Sequence, residues 1–195
     1  MSSLYLVAGL GNPGSEYERT RHNLGFLTVD ELASRLDAGK LKRTRKHSAF
    51  VAEAHDGDGR LVLAKPQTMM NLSGRSIASL MGFYKVPLEN VIVVHDELDL
   101  PFGVVRVKLG GGTAGHNGLR SIVQAVGDGF VRVRLGIGRP MGRKDPVAFV
   151  LEAFTKAEAE AVPGIVDRAA DAVLMVAREG VGAAQTEFNK REREG

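Results

Sequence analysis

Two polar segments of the sequence have the residue types of a general-base site. His22 lies in a Thr-Arg-His-Asn segment, residues 20–23, and Asp96 lies in a His-Asp-Glu-Leu-Asp segment, residues 95–99. The second segment directly follows the apolar run 91–94, and acids at the carboxyl end of a buried strand are a frequent site location in α/β sheets. A carboxylate next to a histidine fixes its tautomer and stabilises the imidazolium form. A lone histidine is more often structural or exposed, so the prediction of a base at His22 depends on Asp96.

The composition restricts what such a base could activate. The chain contains no cysteine, and no serine stands in a G-x-S-x-G nucleophile elbow. We therefore expect the histidine–carboxylate pair to activate water rather than a side chain. The five histidines lack H-E-x-x-H or comparable spacing, so we predict no metal site, and we expect no cofactor.

Three loop asparagines could complete a neutral site. Asn71 and Asn117 stand at the starts of predicted helices, and Asn12 lies in the glycine-rich segment that precedes His22. Each of the first two could simply cap its helix, and Asn23 could cap the helix that follows it. Alternatively, their amides could hold an ester or amide substrate through hydrogen bonds without adding charge.

The first glycine-rich segment, residues 9–14, matches the dinucleotide-binding pattern G-x-G-x-x-G after a predicted strand. That pattern requires a helix that begins at the glycines and whose N–H groups bind pyrophosphate. Here Pro13 interrupts the segment, and residues 15–21 show no apolar helical face. We therefore interpret the segment as a tight turn that projects Asn12 into a site, rather than as a nucleotide loop.

A second glycine-rich segment, residues 110–115, lies among basic residues. It contains four glycines in six positions and is flanked by Arg106, Lys108 and Arg120. It lacks the lysine and serine of a P-loop and could be only a mobile connector. Its backbone could also approach a ligand closely, and phosphates would suit the basic surroundings.

Apolar periodicity predicts strands that alternate with helices, which indicates an α/β fold with a mixed, mostly parallel central sheet flanked by helices. Strands are predicted at residues 4–8, 50–54, 60–65, 91–94, 104–108 and 131–137, with a hairpin turn at 56–59. Helices are predicted after Asn23, from Ser73, from Asn117, at the N-cap Asp145 with its following proline, and from a capping box at 155–158. The strand 131–137 alternates apolar and basic residues, which predicts one solvent-exposed face, whereas residues 41–47 have no clear pattern.

Length and composition favour one soluble domain. The chain has 195 residues, of which 44% are hydrophobic and 25% charged, and its net charge is +3. We expect a single domain over residues 1–195 with a frayed tail at 188–195. No apolar run approaches the roughly 18 residues of a membrane span, and the N-terminus lacks a basic leader. We therefore expect a cytoplasmic protein that does not associate with membranes.

Five motifs together resemble the signatures of the bacterial-type peptidyl-tRNA hydrolase family. Each motif alone is weak, but the five occur in the family's order between residues 4 and 140, which is highly specific. In this sequence they are Gly9-Leu10-Gly11-Asn12-Pro13-Gly14 with Tyr17 and Thr20-Arg21-His22-Asn23; Lys65-Pro66 with Thr68, Met70-Asn71 and Ser73-Gly74; His95-Asp96-Glu97-Leu98-Asp99; Gly110-Gly111-Gly112 with Gly115-His116-Asn117-Gly118-Leu119; and Arg134-Leu135-Gly136-Ile137-Gly138-Arg139-Pro140.

The resemblance implies hydrolysis of the ester that joins a peptide, or another N-blocked aminoacyl group, to the 3′ end of tRNA. It implies that His22 is the general base and that Asp96 is its orienting carboxylate, with no metal involved. The family fold is a single α/β domain, usually a monomer, and no obligate protein partner is expected.

The resemblance also assigns the substrate contacts. Asn12 would help to distinguish a blocked amino group from a free one, and Asn71 and Asn117 would position substrate and water. Tyr17 would line the site near the tRNA end. The basic residues that bind the tRNA 5′ phosphate would be Lys108 and Arg134.

One position departs from the family pattern, and two other functions stay open as alternatives. Met69 stands where family members usually carry an aromatic residue that contacts substrate, so we expect an apolar wall there instead of stacking. The alternatives are a non-catalytic RNA-binding protein that uses the same basic surface, and a nucleotide-dependent oxidoreductase built on residues 9–14.

Overall fold

A seven-stranded mixed sheet forms the centre of the fold in this computed structural model, which describes residues 3–190. Its strands are β1 (Leu4–Gly9), β2 (Lys42–Thr44), β3 (Ala49–Asp56), β4 (Gly59–Pro66), β5 (Val91–Glu97), β6 (Val105–Leu109) and β7 (Val131–Gly136). They follow one another across the sheet in the order β2-β3-β4-β1-β5-β7-β6.

The centre of the sheet is parallel and its edges are antiparallel. β4, β1, β5 and β7 run in the same direction, whereas β2 and β3 on one side and β6 on the other join by antiparallel pairing. This confirms the predicted α/β fold with a mixed sheet. Because the central strands are parallel, their carboxyl ends share one edge, where the polar segments of the sequence follow them.

Helices cover both faces of the sheet. Within the described residues they are α1 (Leu24–Arg35), α2 (Ser73–Tyr84), α3 (Asn117–Val126), α4 (Pro146–Val150), α5 (Lys156–Glu179) and α6 (Val181–Phe188). One apolar core lies between the sheet and α1, α5 and α6, and a second lies between the sheet and α2 and α3. Alternate side chains of β1 enter the two cores: Val7 packs in the first, and Leu6 and Ala8 pack in the second.

Two strands differ from their predictions at the carboxyl edge. β5 continues beyond residue 94 through Glu97, so the polar residues 95–97 lie inside the strand rather than after it. The prediction of a solvent-exposed face on strand 131–137 is wrong, because Arg132 is only 2% exposed. Alternation indicates which side chains share a face, but distant segments decide whether that face is covered.

The helix starts were predicted with mixed success. Asp145 caps α4 through Val147 N, and Thr155 forms the predicted capping box with Glu158. The predicted capping by Asn23 is wrong, because its side chain makes no bond to the first turn of α1. The edge strand β2 was not predicted, since its exposed polar residues carry no hydrophobic periodicity and only pairing with β3 reveals it.

The described chain ends against the edge strand β6. Gly180, with a φ of +91°, separates α5 from α6, a helix that was not predicted. The side-chain oxygen of Asn189 accepts a bond from Val107 N at 2.9 Å, and its amide donates to Val107 O at 2.7 Å. Residue 189 of the predicted frayed tail 188–195 is thus fixed to the sheet, and residues 191–195 lie outside the described part.

Across residues 3–190, no helix combines the length and the apolar character that crossing a membrane requires.

Candidate active site

Close backbone packing holds the turn that carries His22. This turn is a short 3-10 helix, Arg21–Asn23, that leads directly into α1. A methyl group added to Gly9 would lie 2.0 Å from the carbonyl oxygen of Gly25, and one added to Gly25 would lie 2.3 Å from the backbone nitrogen of Leu10. Only residues without a Cβ permit this approach, which starts α1 over the ends of β1 and β5. Residues 10–14 form no helix and α1 begins only at Leu24, so the segment lacks the helix start that a dinucleotide loop requires.

The structure brings His22 and Asp96 together. The Nδ1 atom of His22 lies 2.8 Å from Oδ2 of Asp96, and both residues are buried. Burial lowers the pKa of His22, but the charge of Asp96 and the hydrogen bond to it outweigh burial and raise that pKa above its ordinary value. Burial raises the pKa of Asp96, whereas the charge of His22 and the hydrogen bonds from His22 and His116 hold it far below its usual range. The ring is therefore oriented through Nδ1, which leaves Nε2 for chemistry.

His116 is a third member of this group, and sequence reasoning did not select it. Its Nε2 lies 2.9 Å from Oδ1 of Asp96, and its Nδ1 accepts bonds from the backbone N–H groups of Gly118 and Leu119. Since Nδ1 is an acceptor, the ring proton is on Nε2 and is donated to Asp96. His116 thus caps α3 and orients the carboxylate. Its place beside Asn117 was the signal available in the sequence.

His95 lies behind this group and stays uncharged. It is fully buried, its Nδ1 donates to the carbonyl oxygen of Asp96 at 2.7 Å, and its ring packs edge-on against His116 at a centroid distance of 5.1 Å. Burial, followed by the proximity of His116, lowers the pKa of His95 to about 3. A ring that is neutral at pH 7 supports the Asp96 backbone without adding charge.

The amide of Asn12 is oriented by a backbone contact. Its Oδ1 accepts a bond from Met70 N at 2.7 Å, while its own backbone N–H donates to Asn23 Oδ1 at 2.8 Å. Asn23 Nδ2 donates in return to the carbonyl oxygen of Asn12 at 3.0 Å. This pairing explains why Asn23 does not cap α1. Because Met70 N fixes Oδ1 of Asn12, its Nδ2 group, which makes no hydrogen bond within residues 3–190, remains a donor on a residue that lines the cleft.

A cleft of about 310 Å³ joins most of the predicted site residues. Met69, which is 46% exposed, forms part of the apolar wall of this cleft. Tyr17 ends the short 3-10 helix Ser15–Tyr17 and is not among the residues that line the cleft. Four residues at α4 complete the wall. The sequence did not indicate that this helix covers the cleft. The lining residues are Asn12, His22, Met69, Met70, Asn71, Leu98, Gly115, His116, Asn117, Pro146, Val147, Val150 and Leu151.

Arg21 ties this cover to the turn that carries His22. Its guanidinium donates to the carbonyl oxygen of Phe149 at 3.1 Å, forms an ion pair with Glu158 at 2.6 Å, and lies 3.9 Å from the centre of the Phe149 ring. Its backbone N–H also donates to the carbonyl oxygen of Glu152. Arg21 is 3% exposed, so it is a buried anchor rather than a surface cation. Sequence reasoning gave this residue no role.

The predicted phosphate-binding residues lie at the other end of the glycine-rich segment. Lys108, near the end of β6, is exposed, and Arg134 on β7 is half-buried and bonded to Oε1 of Glu97 through Nε at 3.1 Å and Nη2 at 2.9 Å. Both basic side chains line a smaller cavity of about 110 Å³, together with Glu97 and Arg132. Arg134 is thus partly neutralised, and Lys108 is the freer cation of the pair.

His22, Asp96 and His116 also have the side-chain types that could hold a metal ion. Their potential ligand atoms all lie within 4.8 Å of one another. The prediction against a metal considered spacing along the chain only, and these histidines are 94 positions apart. In the described structure the same atoms are satisfied by direct N–H···O bonds, which suits a proton-transfer group.

Comparison with known proteins gives a consistent family. A family model described as peptidyl-tRNA hydrolase matches residues 6–195. The peptidyl-tRNA hydrolase of Mycobacterium tuberculosis is 55% identical over 95% of this chain and 97% of the relative. That of Nocardia farcinica is 54% identical over 94% of this chain and 95% of the relative.

Solved structures agree with this result. A crystal structure of peptidyl-tRNA hydrolase from Acinetobacter baumannii matches with a TM-score of 0.90 and 39% identity, and the match covers 97% of this chain and 96% of that chain. The two alternatives, a non-catalytic RNA-binding protein and a nucleotide-dependent oxidoreductase, find no support in these matches. The chain belongs to the bacterial-type peptidyl-tRNA hydrolase family, whose members are ester hydrolases that act on peptidyl-tRNA.

Proposed function

We propose that His22 is the general base that activates water for attack on the ester between the peptide and the 3′ end of tRNA. The observation that carries this proposal is the buried Nδ1···Oδ2 pair of His22 and Asp96, at 2.8 Å beside the cleft. Fixing Nδ1 as the donor leaves the Nε2 lone pair as the proton acceptor.

The reaction needs two proton transfers through Nε2 of His22. The attacking water gives a proton to Nε2 as its oxygen bonds to the ester carbonyl carbon. The tetrahedral intermediate then breaks its bond to the ribose oxygen, and the imidazolium returns the proton to that oxygen. The products are tRNA with a free terminal hydroxyl and the carboxylic acid of the peptide. Asp96 stabilises the imidazolium while it carries the proton.

The neutral amides around the cleft suit recognition of this substrate. The Nδ2 donor of Asn12 is directed by the bond from Met70 N, and it would bind the carbonyl group of a blocked amino terminus. Asn71 and Asn117 are exposed at the cleft and would position the ester and the water. Met69 would contact the substrate as an apolar wall, and Tyr17 would lie near the tRNA end.

The basic end of the glycine-rich segment would bind the acceptor end through its 5′ phosphate. Lys108 is exposed there, and Arg134 is held in place by Glu97. An ammonium group binds phosphate as a point charge, and an arginine held by a carboxylate keeps further donors free.

The proposal also covers the metal, the location and the oligomeric state. We propose metal-independent turnover, since Asp96 bonds the Nδ1 atom of His22 directly. We also propose a monomer, as the family resemblance implies, in the cytoplasm, where the lack of cysteine fits the reducing conditions. Activity that survives dialysis against a chelator would support metal independence. Activity restored only by an added divalent ion would overturn it.

The central experiment measures hydrolysis of N-acetyl-aminoacyl-tRNA by the variant His22→Ala. We expect kcat to fall by roughly 10²- to 10⁴-fold, the usual contribution of a general base, while the Kd for tRNA stays unchanged. His55→Ala is the matched control, because His55 is exposed on β3 and distant in sequence from the cleft residues. Undiminished turnover in His22→Ala would show that His22 is not the general base. Wild-type protein that binds tRNA without hydrolysing the substrate would favour the RNA-binding alternative.

A further inference from the structure

Arg132 is a buried cation with no carboxylate of the described residues in ion-pair contact, and the charges of Asp128 and Glu97 act on it only from a greater distance. It lies on β7, is 2% exposed, and takes part in none of the ion pairs formed within residues 3–190. Removing an arginine from water without an acidic partner is costly, and an apolar residue would fit the buried face of a strand better. Packing alone therefore does not explain why an arginine occupies this buried position.

The guanidinium of Arg132 bonds to the glycine-rich segment. Nη1 donates to the carbonyl oxygen of Gly112, and Nη2 donates to that of Gly111 at 2.7 Å. Its Cζ atom lies 4.6 Å from the centre of the Phe130 ring, which limits movement of the fork from the other side. Two carbonyl groups of the glycine-rich segment are thus held by one planar group, which is the geometry that arginine provides and lysine does not.

Lys108 lies on the backbone that Arg132 holds. The two residues are directly paired across β6 and β7. A methyl group added to Gly111 would lie 2.5 Å from Cε and 2.6 Å from Nζ of Lys108, so the end of the lysine chain crosses over the Gly111 Cα. Gly111 has a φ of +102°, a conformation that other residues rarely adopt. The position of this glycine therefore determines where the ammonium group can lie.

We infer that Arg132 is a positioning residue for the phosphate contact of Lys108: it fixes the carbonyl groups of Gly111 and Gly112 and thereby the surface over which Lys108 extends. This inference rests on the proposed function, in which Lys108 binds the 5′ phosphate of the tRNA. Arg132 lines the same small cavity as Lys108 and Arg134, but it is only 2% exposed and both of its Nη atoms are bonded to the segment, so the proposed arrangement gives it no direct contact with the phosphate. Its charge adds a positive potential below the site.

The test compares two substrates that differ only in the phosphate. N-acetyl-aminoacyl-tRNA is prepared with and without its 5′ phosphate, and the ratio of the two kcat/KM values is measured for each variant. This ratio does not depend on the fraction of folded enzyme, so partial misfolding of Arg132→Met cannot imitate the effect. Arg132→Lys is the second variant, which keeps the charge but loses the fork.

We expect Arg132→Met to lower the ratio by about the same factor as Lys108→Ala, on the order of tenfold for one charge-assisted contact. The effect should appear in KM for the phosphorylated substrate and leave kcat unchanged, and Arg132→Lys should restore part of it. In the double variant the ratio should equal that of Lys108→Ala alone, because Arg132 acts through Lys108. Arg168→Met is the matched control, since that arginine also donates to a glycine carbonyl, at Gly103.

The outcomes separate the two claims. An unchanged ratio in Lys108→Ala would overturn the proposed phosphate contact itself. If Lys108→Ala lowers the ratio but Arg132→Met reduces both substrates equally, Arg132 is only structural and the inference is wrong. A further fall of the ratio when Arg132→Met is added to Lys108→Ala would mean that Arg132 binds phosphate directly, which also contradicts the inference.

Discussion

The two ends of the glycine-rich segment are built in different ways. At one end, His22, Asp96 and His116 are joined by direct side-chain hydrogen bonds and are largely removed from water. At the other end, Lys108 is exposed and Arg134 is paired with Glu97 beside open solvent. We call the first the proton-transfer cluster and the second the basic rim.

Because of this difference, substitutions in the two regions should affect different properties of the enzyme. In the proton-transfer cluster, the buried carboxylate of Asp96 raises the pKa of His22, so small changes there should alter chemistry and pH dependence. In the basic rim, charges act through solvent, so changes should alter affinity and its dependence on salt. Four predictions test this separation.

The largest effect is expected for Asp96→Asn. An amide offers one acceptor and one donor where the carboxylate accepts from both His22 and His116, so one ring must take the other tautomer. We expect kcat for N-acetyl-aminoacyl-tRNA to fall by roughly 10³-fold or more, with little change in KM. Asp99→Asn is the control, because Asp99 is exposed and its ion pair within the described residues is with Arg139. A kcat within tenfold of the wild type would show that Asp96 does not orient the base.

The second prediction concerns packing around the two regions. A methyl group on Gly25 would meet backbone atoms at 2.3 to 2.6 Å, whereas one on Gly112 would meet nothing within 4 Å. We expect Gly25→Ala to lower the free energy of unfolding by about 1–3 kcal/mol or more, and Gly112→Ala to change it by less than about 0.5 kcal/mol. Urea unfolding measures both. Equal losses of unfolding free energy would mean that the backbone beside the basic rim is packed as tightly as the backbone that supports the proton-transfer cluster.

The third prediction concerns the salt dependence of binding. Lys108→Ala removes one cation from the rim, so the slope of log Kd against log salt concentration should decrease by about 1 while kcat stays unchanged. Binding of deacylated tRNA between low and moderate salt measures this slope. Arg139→Ala, at an exposed surface ion pair, is the control. An unchanged slope for Lys108→Ala would exclude this lysine from the phosphate contact.

The fourth prediction concerns pH. Catalysis needs the neutral ring of His22, whose pKa is raised, so kcat/KM should increase with pH through an inflection above about 6.5 and then level off. In the residual activity of Asp96→Asn the inflection should move to lower pH, because burial then acts without the opposing charge. Lys108→Ala should leave the inflection in place. A similar displacement in Lys108→Ala would contradict the separation of the two regions.

Much of the fold could be predicted because its signals are local. The apolar runs at 4–8 and 91–94, the capping box at Thr155 and the turn between β3 and β4 depend on neighbouring residues, and each is observed. The edge strand β2 could not be predicted in this way, because hydrogen bonds to β3 and not its own side chains make it a strand.

The site was predictable only in part for the same reason. Asp96 stood out because its polar segment follows an apolar strand, and His22 was paired with it, across 74 positions, from the residue types and the family resemblance. His116 and Arg21 lie in the same family motifs but were given no role, since nothing in the sequence indicates their contacts with Asp96 and Glu158. Sequence periodicity carries no information about such pairs.

The sequence by itself determined the residue types of the chemistry: a histidine, a carboxylate, neutral amides and a basic glycine-rich segment, with no thiol among them. Only the tertiary structure decided that His116 shares Asp96 with His22, and that Arg132 lies buried beneath the glycine-rich segment rather than on a solvent-exposed face. The physical reason is that a hydrogen bond is satisfied in space, by whichever donor the packing of distant elements brings within about 3 Å.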